Sequence, residues 1–320
     1  MNIVYTFDNN YFEVSLVSIL SLLKTNKQIN LYIIDCGIDK KNIKIIYNLC
    51  KKYDAKLVIR EAKGFENRIP VKIDVLNWSF VCFIRLFFEE LLPDLDRVLH
   101  IDCDTLVKGN LHNIYSIDLK DKICGGCYDC VPSTKKAAGL KKEDQYISNG
   151  FLLFNLDLMR KEHITEQFIQ YIVDKKGILP HLDQDVLNDV LKNRIMILAP
   201  CYNVMSITSV YGTDACDFFD KKEPYYSKSE IREALDNPII IHYVGYKYIS
   251  RPWAQPCFHP NNKEWIHYYK ELFPDGKLLK YKKKKGGLFR EIFCYCWNLG
   301  NKNKFIRNIQ WRHEYNKLNR

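Results

Sequence analysis

The sequence predicts an α/β fold in which helices flank a mostly parallel central sheet. Short apolar runs of strand length alternate with longer runs whose apolar residues recur at helical spacing. In addition, Asp8 and Asp102 directly follow two of the apolar runs, in TFDNN and LHIDCD. Alternating strands and helices imply a doubly wound sheet, which binds ligands beside the carboxyl ends of its strands. We therefore expect both aspartates to face one crevice.

Each element follows from its local pattern. Alternation and β-branched residues predict strands at 2–7, 31–35, 56–60, in the run that starts at 98, and at 122–127, 150–156, 195–198 and 238–244. Helical spacing predicts helices at 11–23, 40–53 and 79–92. No internal repeat or low-complexity linker interrupts this order before Lys282.

Composition limits the class of protein. A chain of 320 residues with 47% hydrophobic residues can build one large α/β domain with a tail. It has no run of about 18 uncharged apolar residues, and its start, MNIVYTFDNN, lacks the pattern of a signal peptide. We therefore expect a cytoplasmic protein whose twelve cysteines form no structural disulfides.

The positive charge is concentrated in a C-terminal tail, residues 277–320, which follows a predicted globular domain at 1–276. The tail has thirteen lysines and arginines against two glutamates, interleaved with Phe, Ile, Leu and Trp. Such a pattern suits an anionic membrane surface, where each cation adds about 1 kcal/mol and apolar side chains insert at the interface. A solvated tail and a nucleic-acid-binding tail are the alternatives.

The stretch VLHIDCDTLV, residues 98–107, ends an apolar strand in Asp102 and Asp104. Two carboxylates at this spacing can bind one divalent cation, which offsets their repulsion. A calcium loop is excluded, because Val107 and Asn113 stand where it requires Gly and Glu. The stretch also does not match the motif of phosphatases that use an aspartate as the nucleophile. A structural cap, with Asp104 accepting backbone N–H groups, stays open.

Two other groups of residues offer candidate metal ligands. His242 follows the apolar run of IIIHYVG and offers a nitrogen ligand, although a hydrogen-bonded histidine is the commoner role at a strand end. CGGCYDC places Cys124, Cys127 and Cys130 at three-residue spacing. Three thiols are too few for a closed tetrahedral zinc site, so this stretch is expected to be a strand.

Together these stretches resemble glycosyltransferase family 8, the retaining sugar transferases that include bacterial lipopolysaccharide galactosyl- and glucosyltransferases. The resemblance covers roughly residues 1–256 and includes six stretches in the family's order. They are TFDNNY (6–11), FIRLFFEELLP (83–93), VLHIDCDTLV (98–107), ISNGFLLFNLDLMR (147–160), HLDQDVLN (181–188) and HYVGYKYISRPW (242–253). It implies a GT-A-like fold with a Rossmann-type sheet.

The resemblance assigns the donor-binding residues. A UDP-sugar is expected to contact Thr6, Phe7, Asp8, Asn10, Tyr11, Arg85, Asp102, Cys103, Asp104, Asn149, Gly245, Lys247 and Arg251. The side chain of Cys103 is expected to point away from the metal, because side chains alternate on a strand. Extra residues separate Gly245 from Pro252 relative to the family pattern. Either Lys247 or Arg251 therefore takes the role of its phosphate-binding lysine, with Arg251 slightly favoured.

The resemblance also implies the chemistry. Asp102, Asp104 and His242 would hold Mn²⁺, and their hard ligand atoms also permit Mg²⁺. Gln184 would stabilise the transition state beside the sugar, and Asp183 would bind donor hydroxyls. Asp129 and Asn149 would be further sugar contacts. For Gln184 a solvated position at a helix N-terminus is the alternative.

These expectations combine into one function. We expect a metal-dependent retaining hexosyltransferase, peripheral on the inner face of the cytoplasmic membrane, that transfers galactose or glucose from UDP-galactose or UDP-glucose to a saccharide or glycolipid acceptor in surface-glycan synthesis. No nucleic acid partner is expected. The alternatives are a UDP-sugar hydrolase, an inactive donor-binding module, and a basic nucleic-acid-binding protein.

Overall fold

The structure is a computed structural model that describes residues 1–75, 78–219, 222–245, 251–255, 257 and 259–280. The predicted alternation of strands and helices is confirmed along the first hundred residues. Strands run at β1 (Asn2–Phe7), β2 (Asn30–Asp35), β3 (Lys56–Glu61), β4 (Arg97–Ile101), β5 (Thr105–Val107), β6 (Cys124–Tyr128), β7 (Ile147–Asn155), β8 (Ile195–Ile197), β9 (Val204–Met205), β10 (Ile240–His242), β11 (Ala254–Gln255) and β12 (Leu279–Lys280).

Helices connect most of these strands. They run at α1 (Phe12–Thr25), α2 (Lys40–Lys52), α3 (Phe88–Leu91), α4 (His112–Tyr115), α5 (Pro132–Ala137), α6 (Leu156–Glu162), α7 (Ile164–Asp174), α8 (Asp183–Val190), α9 (Ser206–Tyr211), α10 (Lys228–Asp236) and α11 (Asn262–Leu272). Shorter turns of 3₁₀ helix lie at Asn9–Tyr11, Phe65–Arg68, Phe80–Phe87, Pro200–Tyr202 and Gly212–Phe218.

The central sheet has seven strands in the order β3-β2-β1-β4-β7-β6-β8. The ladders β2–β3, β1–β2, β1–β4 and β6–β8 are parallel, whereas β7 is antiparallel to both β4 and β6. The expected mostly parallel α/β fold is confirmed. Because β1 and β4 are parallel neighbours, Asp8 and Asp102, which follow them, lie at the same edge of the sheet.

A second sheet, with the order β5-β10-β9, lies beside the end of β4. Strand β10 pairs antiparallel with β5, so that His242 lies opposite Thr105, and parallel with β9, so that His242 lies beside Met205. Only three residues separate β4 from β5. The chain therefore passes from one sheet to the other through Asp102 and Asp104.

Helix α1 joins the two sheets through small hydroxyl side chains. Ser18 Oγ is 3.0 Å from Tyr5 Oη of β1 and 2.7 Å from Thr105 Oγ1 of β5. Ser21 Oγ accepts from the backbone N–H of Val107 at 2.9 Å. These buried contacts hold β5 against the main sheet.

The predicted helix at 79–92 is wrong over its first half. Phe80–Phe87 is 3₁₀ helix, and α-helix begins only at Phe88. In a 3₁₀ helix side chains at i and i+3 eclipse, and the rings of Phe80 and Phe83 stack with centroids 5.8 Å apart. The tighter winding buries the apolar residues from Phe83 to Phe87, and Arg85 among them is only 7% exposed.

The described cysteines match the prediction from the sequence, and only the first residues of the tail lie among the described residues. Each of the ten cysteines within the described ranges is a free thiol. Strand β12 pairs in parallel with β11, so residues 277–280 continue the described fold. The remainder of the predicted tail, 281–320, lies outside the described residues, as does Lys247. Among the described helices, none combines the length and the apolar character needed to cross a bilayer.

Candidate metal and donor-binding site

The two aspartates occupy the junction between the sheets. Strand β4 ends at Ile101, and the backbone N–H of Asp102 donates to the carbonyl of Gly150 on β7 at 2.9 Å. The backbone N–H of Tyr243 donates to the carbonyl of Asp104 at 2.8 Å. Both carboxylates are therefore carried by backbone that is hydrogen-bonded to a neighbouring strand segment. Hydrogen bonds thus fix the backbone at the positions where the sequence predicts ligands.

His242 completes the group. Its Nε2 lies 3.1 Å from Asp104 Oδ1 and 3.9 Å from Asp102 Oδ2. One ligand atom from each of the three residues fits within 4.8 Å of the others. Two carboxylates and an imidazole suit a divalent cation of intermediate hardness, such as Mn²⁺.

Gly150 leaves the space for the His242 ring. A Cβ atom at position 150 would lie 2.1 Å from Cε1 of His242 and 2.5 Å from its Nδ1. Glycine inside a strand often marks such a close approach. The residues present fit a bound cation, because the sheet provides a cradle for the imidazole that aims its Nε2 at the carboxylates.

Two arginines balance the negative charge. Arg85 Nη2 is 3.0 Å from Asp102 Oδ1, and Arg85 Nε is 3.0 Å from Asp183 Oδ2. Arg251 Nη2 is 3.4 Å from Asp104 Oδ2, and Arg251 Nη1 donates to Tyr11 Oη at 3.1 Å. Arg85 thus links the Asp-x-Asp segment to the Asp183 segment, and Arg251 links it to the loop after β1.

These charges shift the acid–base behaviour of the site. Burial alone would raise the pKa of Asp104, but the positive charges of His242 and Arg251 outweigh burial and lower it. Burial alone would lower the pKa of His242, but Asp104 outweighs it, so the pKa is raised. Burial raises the pKa of Asp183 to about 6, against the opposing effect of Arg85.

The loop after β1 is folded by its own side chains. Asp8 Oδ1 accepts from the backbone N–H groups of Asn10 and Tyr11 at 3.0 and 3.3 Å, and Asn10 Nδ2 donates to Asp8 Oδ2. Phe7 is buried, with its carbonyl accepting from the backbone N–H of Cys36. The buried Thr6 Oγ1 has no hydrogen-bond partner among the described residues. Among the described residues, it is Tyr11 that joins this loop to the charged side chains of the site, through Arg251.

The Asp-Gln-Asp segment lies at the start of α8. Asn149 Nδ2 donates to Asp183 Oδ2, and the Asn149 backbone N–H donates to Gln184 Oε1 at 3.4 Å. Gln184 Nε2 donates to Asp129 Oδ2 at 2.7 Å, so Asp129 fixes which end of the amide faces Asn149. Asp185 is held separately, by Tyr146 Oη at 2.6 Å and by the backbone N–H of His181. The structure therefore brings Asp129, Asn149, Asp183 and Gln184 into one group.

Cys103 and Gly245, which the sequence also predicts to lie at the site, contribute no charged group to it. Cys103 Sγ points back toward the carbonyl of Thr6 at 3.5 Å, as the alternation of side chains predicts. Gly245 has no side chain to place, but a Cβ there would lie 3.0 Å from Arg251 Nε. Gly245 thus leaves room for the guanidinium of Arg251.

Two residues at the site were missed from the sequence. His100 is buried on β4 with its Nε2 3.6 Å from Asp102 Oδ1. Asn203 is buried before β9 with its Oδ1 2.9 Å from Nδ1 of His242. The position of His100 two residues before Asp102, on the same face of the strand, was an available signal. Nothing in the local sequence around Asn203 indicates its contact.

Comparison with known proteins gives concordant results. Residues 2–257 match the family described as Glycosyl transferase family 8. The chain is 29% identical to the lipopolysaccharide 1,2-glucosyltransferase of Escherichia coli over 79% of this chain and 73% of that protein. It is 23% identical to the lipopolysaccharide 1,3-galactosyltransferase of Salmonella typhimurium over 83% of this chain and 79% of that protein. The crystal structure of the galactosyltransferase LgtC with donor and acceptor sugar analogues matches at a TM-score of 0.73 and 20% identity, over 91% of this chain and 100% of that one.

This chain shares its fold, including a mixed central sheet, with LgtC, and the fold is of the GT-A type. Because the family match spans most of the sequence, the chain belongs to glycosyltransferase family 8. Its class is therefore that of a sugar transferase. The family resemblance and the fold predicted from the sequence are both confirmed.

Proposed function

We propose that this protein is a metal-dependent retaining hexosyltransferase. In this proposal it moves galactose or glucose from UDP-galactose or UDP-glucose to a saccharide or glycolipid acceptor during the synthesis of a lipopolysaccharide- or capsule-type surface glycan. The observation that carries the proposal is that Asp102, Asp104 and His242 converge within 4.8 Å. The curated relatives are named for transfer of glucose and galactose onto lipopolysaccharide, which supports the donor and acceptor classes.

The site residues take the following roles in binding the cation and the donor. Asp102, Asp104 and His242 hold Mn²⁺, or alternatively Mg²⁺. When bound, the cation stabilises negative charge on the departing nucleotide as a Lewis acid. Thr6, Phe7, Asp8, Asn10 and Tyr11 form the nucleoside-binding loop, and the unpaired hydroxyl of Thr6 supports this because it lacks a partner within the described protein.

Arg251 is the proposed partner of the pyrophosphate. Its guanidinium lies beside Asp104 and Tyr11, between the cation ligands and the nucleoside loop. An arginine at this position can donate to two phosphate oxygens at once. A change of partner from Asp104 to phosphate would free Asp104 for the cation. Lys247 stays the alternative, since it lies outside the described residues.

Gln184 and Asp183 take the roles closest to the sugar. Because Asp129 accepts from Gln184 Nε2, the carbonyl oxygen of Gln184 is kept on the side of Asn149 and Asp183. In the proposed mechanism this oxygen stabilises positive charge that develops at the sugar carbon, without a durable covalent bond. Asp183, fixed by Arg85 and Asn149, accepts hydrogen bonds from donor hydroxyls. Asp129 and Asn149 are the further sugar contacts.

A peripheral position on the inner face of the cytoplasmic membrane is part of the proposal. It rests on the composition of the tail, whose thirteen cationic residues alternate with large apolar ones. The anionic membrane surface would bring the enzyme to a lipid-linked acceptor. This is consistent with the glycolipid products implied by the names of the relatives.

The test is UDP release from a panel of UDP-sugars with and without Mn²⁺ and a saccharide acceptor. Wild type is compared with Asp102→Asn/Asp104→Asn and with Asp94→Asn. Asp94 is the matched control, because it precedes β4, is exposed, and forms an ion pair with Arg60 at 3.5 Å on the surface of the described protein. We expect release with one sugar donor that requires Mn²⁺, is lost in the double variant and is kept in the control.

Three results would count against parts of the proposal. Release that no saccharide accelerates would indicate a hydrolase. Binding of UDP without turnover would indicate an inactive donor-binding module. Turnover that survives both chelation and the double variant would remove the metal from the mechanism, and a product of inverted anomeric configuration by NMR would contradict retention.

A further inference from the structure

The second ring nitrogen of His242 has a dedicated partner. Asn203 is 3% exposed, and its Oδ1 lies 2.9 Å from Nδ1 of His242, on the side of the ring away from Asp104. We infer that Asn203 is a positioning residue that keeps the proton of His242 on Nδ1, so that Nε2 is free to bind the divalent cation. The inference rests on the proposed metal-dependent function and adds a residue to it.

The chemistry of imidazole supports this role. A neutral imidazole has one N–H, and only its bare nitrogen can ligate a metal. The amide oxygen of Asn203 can only accept a hydrogen bond, so it favours the tautomer with hydrogen on Nδ1. In the metal-free protein Nε2 donates its own hydrogen to Asp104 at 3.1 Å. A cation bound at this site would take the place of that hydrogen, while Asn203 keeps the other one on Nδ1. The opposite amide orientation would place N–H groups against Nδ1 and force the hydrogen onto Nε2, which would block ligation.

The amide of Asn203 makes a hydrogen bond through its oxygen, whereas its buried nitrogen is unpaired among the described residues. Asn203 Nδ2 is buried and has no hydrogen-bond partner among the described residues. An unpaired buried N–H destabilises a protein, so an asparagine that served packing alone would be better replaced by an apolar side chain. The amide is accounted for if its oxygen is needed at His242.

The backbone places Asn203 independently of the histidine. Its own backbone N–H donates to the carbonyl of Pro200 at 3.1 Å, and the next residue begins β9, which pairs with β10. The same small sheet therefore carries both residues. With Gly150 against the ring, His242 is confined between a backbone, an amide oxygen and a carboxylate.

The experiment compares Asn203→Leu, Asn203→Asp and Ser206→Ala with wild type. Leucine has similar size and no acceptor, whereas aspartate keeps an acceptor at Nδ1. Ser206 is the matched control, because its hydroxyl donates to the backbone carbonyl of His242 at 3.4 Å rather than to a ring nitrogen. Mn²⁺ is titrated into metal-free protein, free Mn²⁺ is measured by EPR, and pulsed EPR reads the coupling between bound Mn²⁺ and a histidine nitrogen. His242→Ala provides the spectrum without that nitrogen.

We expect Asn203→Leu to weaken Mn²⁺ binding by about 10–100-fold and to lose the nitrogen coupling, as is typical when the partner of a metal-binding histidine is removed. Asn203→Asp should keep wild-type affinity or bind more tightly, with the coupling intact. Ser206→Ala should match wild type in both measurements. Thermal unfolding of each metal-free variant reports whether the fold is kept. If the leucine variant does not fold, Asn203→Ser replaces it, because the shorter hydroxyl cannot reach Nδ1.

The outcomes separate this inference from the proposed function. If wild type binds Mn²⁺ and Asn203→Leu binds it with the same affinity and the same nitrogen coupling, the inference is overturned and the proposed function is left intact. Equal losses in Asn203→Leu and Ser206→Ala would also overturn it, since they would indicate general loosening of the small sheet. Wild type that binds no Mn²⁺, with or without UDP, would overturn the metal-dependent function and the inference with it.

Discussion

Gly150→Ala is expected to disable the proposed metal site by displacing one ring, the imidazole of His242. The added Cβ would lie 2.1 Å from His242 Cε1, whereas carbon atoms in contact are about 3.5–4.0 Å apart. The ring must therefore retreat by more than about 1 Å. It cannot do so in place, because Asn203 and Asp104 bind its two nitrogens and Gly150 belongs to a strand paired on both sides.

The expected cost has two parts. Displacement of a reacting or binding group by about 1 Å can reduce activity by about 100-fold, and disturbed metal ligands commonly lose about 10–100-fold in affinity. Overpacking of the core adds a destabilisation of about 1–3 kcal/mol. Gly150→Ala should therefore show weak Mn²⁺ binding even in its folded fraction, with a lowered melting temperature.

The assay is Mn²⁺ binding by EPR at a temperature where circular dichroism shows the variant to be folded. Gly125→Ala is the control for overpacking, because a Cβ on that buried glycine of β6 meets the tips of Leu198 and Leu119 at 3.0–3.3 Å and does not approach His242. Wild-type affinity in folded Gly150→Ala would refute the reasoning. So would an equal loss of affinity in Gly125→Ala.

Three further predictions follow from the same structure. Gln184→Ala should reduce kcat far more than it weakens binding of the UDP-sugar, which single-turnover kinetics and calorimetry can separate; an unchanged kcat would remove Gln184 from the mechanism. The pKa of Asp183 is raised to about 6 from an ordinary value of 3.8, so its ionisation costs stability as the pH rises from about 4 through about 6. In denaturant unfolding of metal-free protein, the free energy of unfolding of Asp183→Asn should accordingly rise relative to that of wild type between pH 4.5 and pH 7.5. A relative fall over this range would contradict the raised pKa. Truncation after Lys280 should reduce sedimentation with anionic liposomes while turnover of a soluble saccharide acceptor persists, and equal sedimentation of the truncated protein would discard the membrane role of the tail.

Local patterns in the sequence determined the elements that a single segment can specify. The strand at 2–7 and the strand that ends at Ile101 are both visible as apolar runs that stop at an aspartate, and the structure confirms their bounds closely. Their parallel pairing followed from the alternation of strands and helices, because a parallel neighbour requires a crossover between them. The proposed metal ligands could be found for the same reason, since Asp102 directly follows a strand, Asp104 directly precedes one and His242 ends one.

Local spacing predicts the wrong structure where the packing of the whole domain determines the conformation of a segment. The apolar residues at 79–92 have helical spacing, yet the chain winds as 3₁₀ helix over Phe80–Phe87. Burial of the side chains from Phe83 to Phe87, together with ion pairs from Arg85 to two distant carboxylates, outweighs the intrinsic preference. The antiparallel direction of β7 likewise depends on its pairing with β4 and β6, which no short window of sequence contains.

The sequence by itself thus determined the family, the order of most elements and the identity of the charged residues. Only the tertiary structure decided how those residues are oriented. Asn203, Gly150 and His242 are 39–92 residues apart in the chain. They meet because β10 pairs with β9 while β7 passes behind the ring. A hydrogen bond to one ring nitrogen, or the absence of one Cβ, has no local sequence pattern, because its effect depends on a neighbour that only the fold brings into contact.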